Sequence, residues 1–254
     1  MSVFFEIPQN KTSSDVAHQI EGLVLEGILR AGEQLPGERE LAQSTTVSRP
    51  VVREAITLLV ERGVLFKKQG GGTYVSNIIG DVFSQPIAEL LSRHKKATVD
   101  YLEYRREVES TAAGLAAERA TNSDKVLLKE LLERMKIAHE KVDDEEEARL
   151  DIEFHTLVSE MAHNLVLLHT MRACYNLLKD GIFRNREHLY VIDGRQILYE
   201  QHLAIADAIL KGDKEGAIKE SRSHLCYILD RSLEVEEQVE RERIAELRLQ
   251  QRTK

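Results

Sequence analysis

The stretch from Leu35 to Val75 limits what this chain can become more than any other. It reads LPGERELAQSTTVSRPVVREAITLLVERGVLFKKQGGGTYV. Glu38 to Gln43 starts a brief helix after Pro36, and Ser44 to Val47 is a polar turn. Ser48 stands where a helix N-cap is expected, because a hydroxyl there can accept a bond from an unpaired first-turn N–H. Val52, Ala55, Ile56 and Leu59 then recur at the i, i+3, i+4, i+7 spacing of one apolar helix face. Arg49, Arg53 and Thr57 step by four along another face, so the two guanidinium groups leave the helix together. Gly63 stops the helix. Val64 to Lys68 and Thr73 to Val75 predict two strands, joined through Gly70, Gly71 and Gly72 with lysines at the tip. Two short helices, a turn and a basic hairpin make a winged helix-turn-helix, whose second helix enters a major groove and reads base edges from its N-terminal side chains.

Charge first argues the other way, since the whole chain carries a formal −8. The segment from Arg49 to Lys68 reverses this locally. Arg49, Arg53, Arg62, Lys67 and Lys68 oppose Glu54 and Glu61, a balance of five minus two, or +3. One basic face on an acidic body suits salt-sensitive binding of double-stranded DNA, above all if a homodimer presents it twice. Two cysteines, no secretory leader and no transmembrane run fit a cytoplasmic protein.

In chain order, residues 1–11 form a lead-in. Thr12 or Ser13 can cap a first helix with the stripe Val16, Ile20, Leu23 and Val24, ending at Gly32. The winged helix-turn-helix domain spans residues 1–76, and residues 77–96 read as a linker with a short helix. Beyond it there is no proline, and aromatics are only 5% of the chain with no Trp. Helical periodicity marks Tyr101–Ala120, Ser123–Lys141, Glu145–Ala162, Leu165–His188, Asp193–Leu210 and Glu215–Val239. The fold class is therefore mainly α: an N-terminal winged helix-turn-helix with a small β-hairpin wing, then an all-α helical bundle over 97–235 and a charged tail over 236–254.

The bundle carries a second group of polar residues. Asp151 and His155 are one turn apart on one helix face. His202 and His224 flank the Gly212-Asp213 break at similar distances, so an antiparallel hairpin sets both rings at about the same height. One carboxylate and three imidazoles suit a divalent transition metal, with zinc first and nickel or manganese as alternatives. The competing reading is a set of satisfied core histidines. His163 and His169 are expected to pack, and no Walker loop or nucleophile elbow is present.

The spacings L-x-E-R-E-L-A, V-S-R-x-x-V-R-E-A and G-G-G-T-x-V closely resemble the GntR family of bacterial regulators. The second half resembles the all-helical FCD ligand-binding domain of its FadR-type branch, through Asp151, His155, His163-Asn164, His202 and His224. The resemblance implies DNA contacts from Arg39, Ser48, Arg49, Arg53, Gln69 and Gly70. It implies metal ligation by Asp151, His155, His202 and His224, and an effector-binding role for Arg105; a surface Arg paired with a nearby Glu is the plain alternative there. The function expected is a transcription regulator, a repressor of a carbon-metabolism operon, modulated by a small carboxylate such as pyruvate, lactate or glycolate. An acyl-CoA effector and a metal-dependent enzyme built in the bundle are the rivals. An acyl-CoA needs a long apolar tunnel, which a central Asp/His cluster would obstruct.

Overall fold

The structure, a computed structural model, describes residues 3–7, 12–68, 71–78, 94–180 and 194–252. The chain divides into two compact units, residues 1–80 and 81–254.

In the first unit, α1 (Ser13–Leu25) opens on a capping box. The Asp15 amide donates to Thr12 Oγ1 (3.3 Å) and the Thr12 amide to the Asp15 carboxylate (3.0 Å). These bonds satisfy donors that a helix start leaves unpaired. Its expected stripe is buried, but the helix ends earlier than expected: Gly27, at φ 71°, follows the cap, not Gly32. Both glycines adopt positive φ, and sequence does not say which one ends the helix. Gly32 instead turns the chain onto the wing, where its amide donates to the Val75 carbonyl (2.9 Å) and Leu35 N–H to the Thr73 carbonyl (2.8 Å).

Helix α2 (Glu38–Thr45) is followed by Thr46 in the left-handed region and by α3 (Arg49–Glu61). Val52, Ala55, Ile56 and Leu59 of α3 pack with Ile20, Leu41, Leu65 and Val75 into one core. Strands β1 (Leu65–Lys67) and β2 (Thr73–Val75) pair antiparallel with Phe66 opposite Tyr74. Gln34 bridges to Tyr74 on the other edge, so the loop after α1 widens the wing.

The second unit is helical throughout its described residues: α4 (Lys95–Arg119), α5 (Asn122–Lys141), α6 (Asp144–Met161), α7 (Leu165–Asp180), α8 (Gly194–Lys211) and α9 (Lys214–Arg252). α4 begins before the expected Tyr101. α9 runs unbroken through 235 and 236, so the charged tail is a continuation of the last helix. The linker residues 79–93 and the expected end of α7 at His188 lie outside the described residues. Phe154, Leu128, Met161 and Ile205 fill the core. Small residues let α4 and α9 approach closely: a Cβ on Gly114 would meet Ile218 Cγ1 at 2.7 Å. No described helix is long and apolar enough to cross a membrane.

Candidate nucleic-acid interface and metal centre

The face of α3 opposite its core stripe is the first candidate site. Arg49, Arg53 and Thr57 are exposed, as are Arg39 on α2 and Lys67 and Lys68 on the wing. Ser48 occupies the N-cap with extended backbone, but its side chain makes no capping bond. The cap hydroxyl expected to serve the helix is thus not used for that purpose. Arg53 donates to both oxygens of Glu38, from Nε to Oε1 at 3.2 Å and from Nη2 to Oε2 at 2.9 Å, and this bonding lowers the Glu38 carboxyl below its ordinary value. With Arg53 61% exposed, water and salt screen this pair, so the guanidinium exchanges readily for another acceptor. Lys68 lies over the Tyr74 ring, 4.3 Å from its centroid, which holds a cation on the wing. Gln69 and Gly70 fall outside the described residues.

The second site lies in the bundle. α6 carries Asp151 and His155, α8 carries His202, and α9 carries His224. His202 Nε2 is 3.3 Å from Asp151 Oδ1 and 3.3 Å from His155 Nε2, while His155 Nε2 is 3.9 Å from the same carboxylate oxygen. Nitrogens of all three rings lie within 4.8 Å of one another. All three histidines are buried, His224 completely.

What orients these rings is as informative as their closeness. His155 Nδ1 is 2.8 Å from Glu109 Oε2 on α4, and His224 Nδ1 is 2.9 Å from Gln201 Oε1 on α8. Each ring is held by its outer nitrogen with Nε2 directed inward, the arrangement that fixes a metal-ligating tautomer. His224 Nε2 is fully buried and has no hydrogen-bond partner among the described residues. Burial lowers its pKa well below 6.5, and the neighbouring His202 and His155 lower it further, so its lone pair is available near neutral pH. An inward, neutral, unpartnered nitrogen beside a carboxylate and two more imidazoles fits a divalent transition metal.

Arg105 does not sit on the surface. It is buried, its Nε donates to Glu109 Oε1, and its guanidinium lies 5.5 Å from the Tyr175 ring centroid. Burial by itself would raise the Glu109 carboxyl. The Arg105 guanidinium and His155 override it and hold the group down at about 2. Glu109 therefore joins Arg105 to His155, a link absent from the sequence-derived site. Gln201 was missed likewise. His163, expected to pack, is instead exposed: its ring nitrogen is 2.9 Å from Asp124 at the start of α5, with its backbone at φ 44°.

Comparison with known proteins adds a family to this geometry. The residue profile of the FCD domain matches residues 100–226, and that of bacterial regulatory proteins of the gntR family matches residues 12–75. The chain is 35% identical over 231 residues to the "Putative L-lactate dehydrogenase operon regulatory protein" of Escherichia coli, covering 86% of this chain and 85% of that one. It is 30% identical over 214 residues to the Glc operon transcriptional activator of the same species, covering 83% and 84%. It is 30% identical over 211 residues to the HTH-type transcriptional regulator LutR of Bacillus subtilis, covering 82% and 95%. Among solved structures, a GntR protein of Streptococcus agalactiae superposes with a TM-score of 0.51 at 24% identity, over 86% of this chain and 99% of that one, which shows a shared fold.

Proposed function

The chain belongs to the GntR family of bacterial regulators, with an FCD domain as its helical unit, and on that premise we propose that it senses a small 2-hydroxy or 2-oxo carboxylate at a metal held by Asp151, His155, His202 and His224. It is a DNA-binding transcription regulator and not an enzyme. As a homodimer it reads a pseudo-palindromic operator through α3, with Arg49 and Arg53 on base edges and Arg39, Ser48, Gln69 and Gly70 on the backbone or minor groove.

The observation that carries the sensor reading is the buried His224 Nε2, without a hydrogen-bond partner among the described residues and close to the two other histidines. A divalent ion there would supply positive charge and open positions for a carboxylate and its neighbouring oxygen. Arg105, charged and buried nearby, adds to the field that favours an anion, while its bond to Glu109 keeps it in place. The name of the Escherichia coli relative includes the L-lactate dehydrogenase operon, so L-lactate leads the candidates, with glycolate and pyruvate behind it. Effector binding is coupled to the operator only if it favours one arrangement of the DNA-binding units over another.

Metal analysis of protein purified without chelator, followed by thermal melts with each acid, tests this. We expect stoichiometric zinc, nickel or manganese, and a melt raised by L-lactate; ligand at a hundredfold over Kd adds about 2.7 kcal/mol. A metal-free protein, or a lactate shift that survives chelation, would contradict the proposal.

A further inference from the structure

A cavity between α5, α6 and α8 reaches the histidine cluster on its Asp151–His202 side and encloses about 330 Å³, its solvent mouth included. Arg105, Glu109, His155 and His224 do not line it. Glu147 and Asp151 stand on its α6 wall, and His155 follows one turn further along the same helix, so the three side chains form a row at four-residue steps. All three are largely buried, with Glu147 and Asp151 at 12% and 16% exposure.

The outer end of the row is assembled from three helices. His139 in the last turn of α5 places Nδ1 3.3 Å from Glu147 Oε1, and its ring stacks on Tyr199 of α8 with centroids 4.4 Å apart. Arg195 in the first turn of α8 closes over the same carboxylate, with Nε 2.8 and 2.9 Å from its two oxygens and Nη2 bonded to the His139 carbonyl. Among the described residues, the charged side chains of the lining are thus two carboxylates and one guanidinium, a formal −1. That balance attracts a cation and repels a carboxylate, so the cavity does not suit the effector. The donors along it, carboxylate and imidazole, are those a divalent transition metal prefers.

We propose that this cavity is the path by which a divalent cation reaches and leaves the histidine cluster, with Glu147 and His139 as a transit site and Arg195 as its gate. This rests on the metal reading above. A cation arriving at Glu147 displaces the Arg195 guanidinium from the carboxylate, then moves one turn inward to Asp151. Glu147 and Arg195 govern the rates of exchange and are not ligands of the final site.

The test uses full-length protein stripped of metal, with Co²⁺ as the probe. Its visible spectrum reports uptake in a stopped-flow mixer, and excess EDTA reports release. Because a path residue affects entry and exit alike, Glu147→Gln is expected to slow both by a common factor, on the order of tenfold. The Co²⁺ Kd and the spectrum stay as in the wild type. Arg195→Gln, with the gate removed, is expected to speed both. Circular dichroism confirms that each variant is folded, and agreement between the two opposite changes guards against a single misfolded protein. Wild-type rates in both variants would overturn the path, as would a changed Kd and spectrum in Glu147→Gln, which would make Glu147 a ligand. A wild-type protein that takes up no Co²⁺ would overturn both the metal reading and the path. One that loads normally, beside a Glu147→Gln that loads equally fast, overturns the path alone.

Discussion

Glu109→Ala lowers the stability of the helical unit by about 3–5 kcal/mol, the range expected when one member of a buried ion pair is removed and the other is stranded. Glu109 and Arg105 are both buried, at 3% and 5% exposure, so water cannot replace the lost carboxylate. The Arg105 guanidinium would keep its charge with Tyr101 and Tyr175 as its remaining neighbours. Urea denaturation followed by circular dichroism measures the loss; a change under about 1 kcal/mol would mean the pair is solvated or dispensable. The double variant Arg105→Met/Glu109→Leu separates two roles of the carboxylate. Removing both charges should restore most of the stability. It should not restore the orientation of His155, whose Nδ1 would still lack its acceptor. Metal affinity should therefore remain about 10–100-fold below the wild type, as for other lost partners of a ligating histidine.

Arg49→Ala is expected to remove preference for the operator while leaving the helical unit intact. Arg49 stands in the first turn of α3, exposed, next to an N-cap serine whose side chain is not spent on the helix. From there a guanidinium can donate to O6 and N7 of guanine, a contact worth about 1–3 kcal/mol of discrimination at each half-site. Two half-sites double that, and specific affinity falls toward the non-specific level. Arg53 should show a smaller loss, because it must first leave Glu38. Fluorescence anisotropy against operator and scrambled duplexes at one fixed salt concentration distinguishes the outcomes. Equal losses on both duplexes would assign Arg49 to the phosphate backbone.

Much of this architecture could be read from the residues because local signals agreed with one another. The helices of the bundle follow from 3.6-residue periodicity punctuated by Gly and uninterrupted by Pro. Thr12/Asp15 and Thr121/Asp124 write two helix starts as capping boxes. The wing was visible in its strand residues and glycines. The third segment that pairs with it was not, since Glu33, Gln34 and Leu35 carry no strand pattern. In the site, Asp151 and His155 were legible as a one-turn pair, and the hairpin about Gly212 aligned His202 with His224. Glu109 was hidden among Glu103, Glu107 and Glu109 on a helix enclosed by neighbours on several sides, where sequence does not show which carboxylate turns inward. Only the packing of α4 on α6 assigns it to His155. Arg105 shows the same limit: its partner in the i, i+4 position could be guessed, its burial could not.

The most direct measurement is operator affinity by anisotropy for metal-loaded and metal-stripped protein, each with and without L-lactate. If the histidine cluster is the sensor, lactate changes operator affinity in the loaded protein, and stripping the metal abolishes the change while leaving basal DNA binding in place. An equal response in both forms, or none in either, would contradict it.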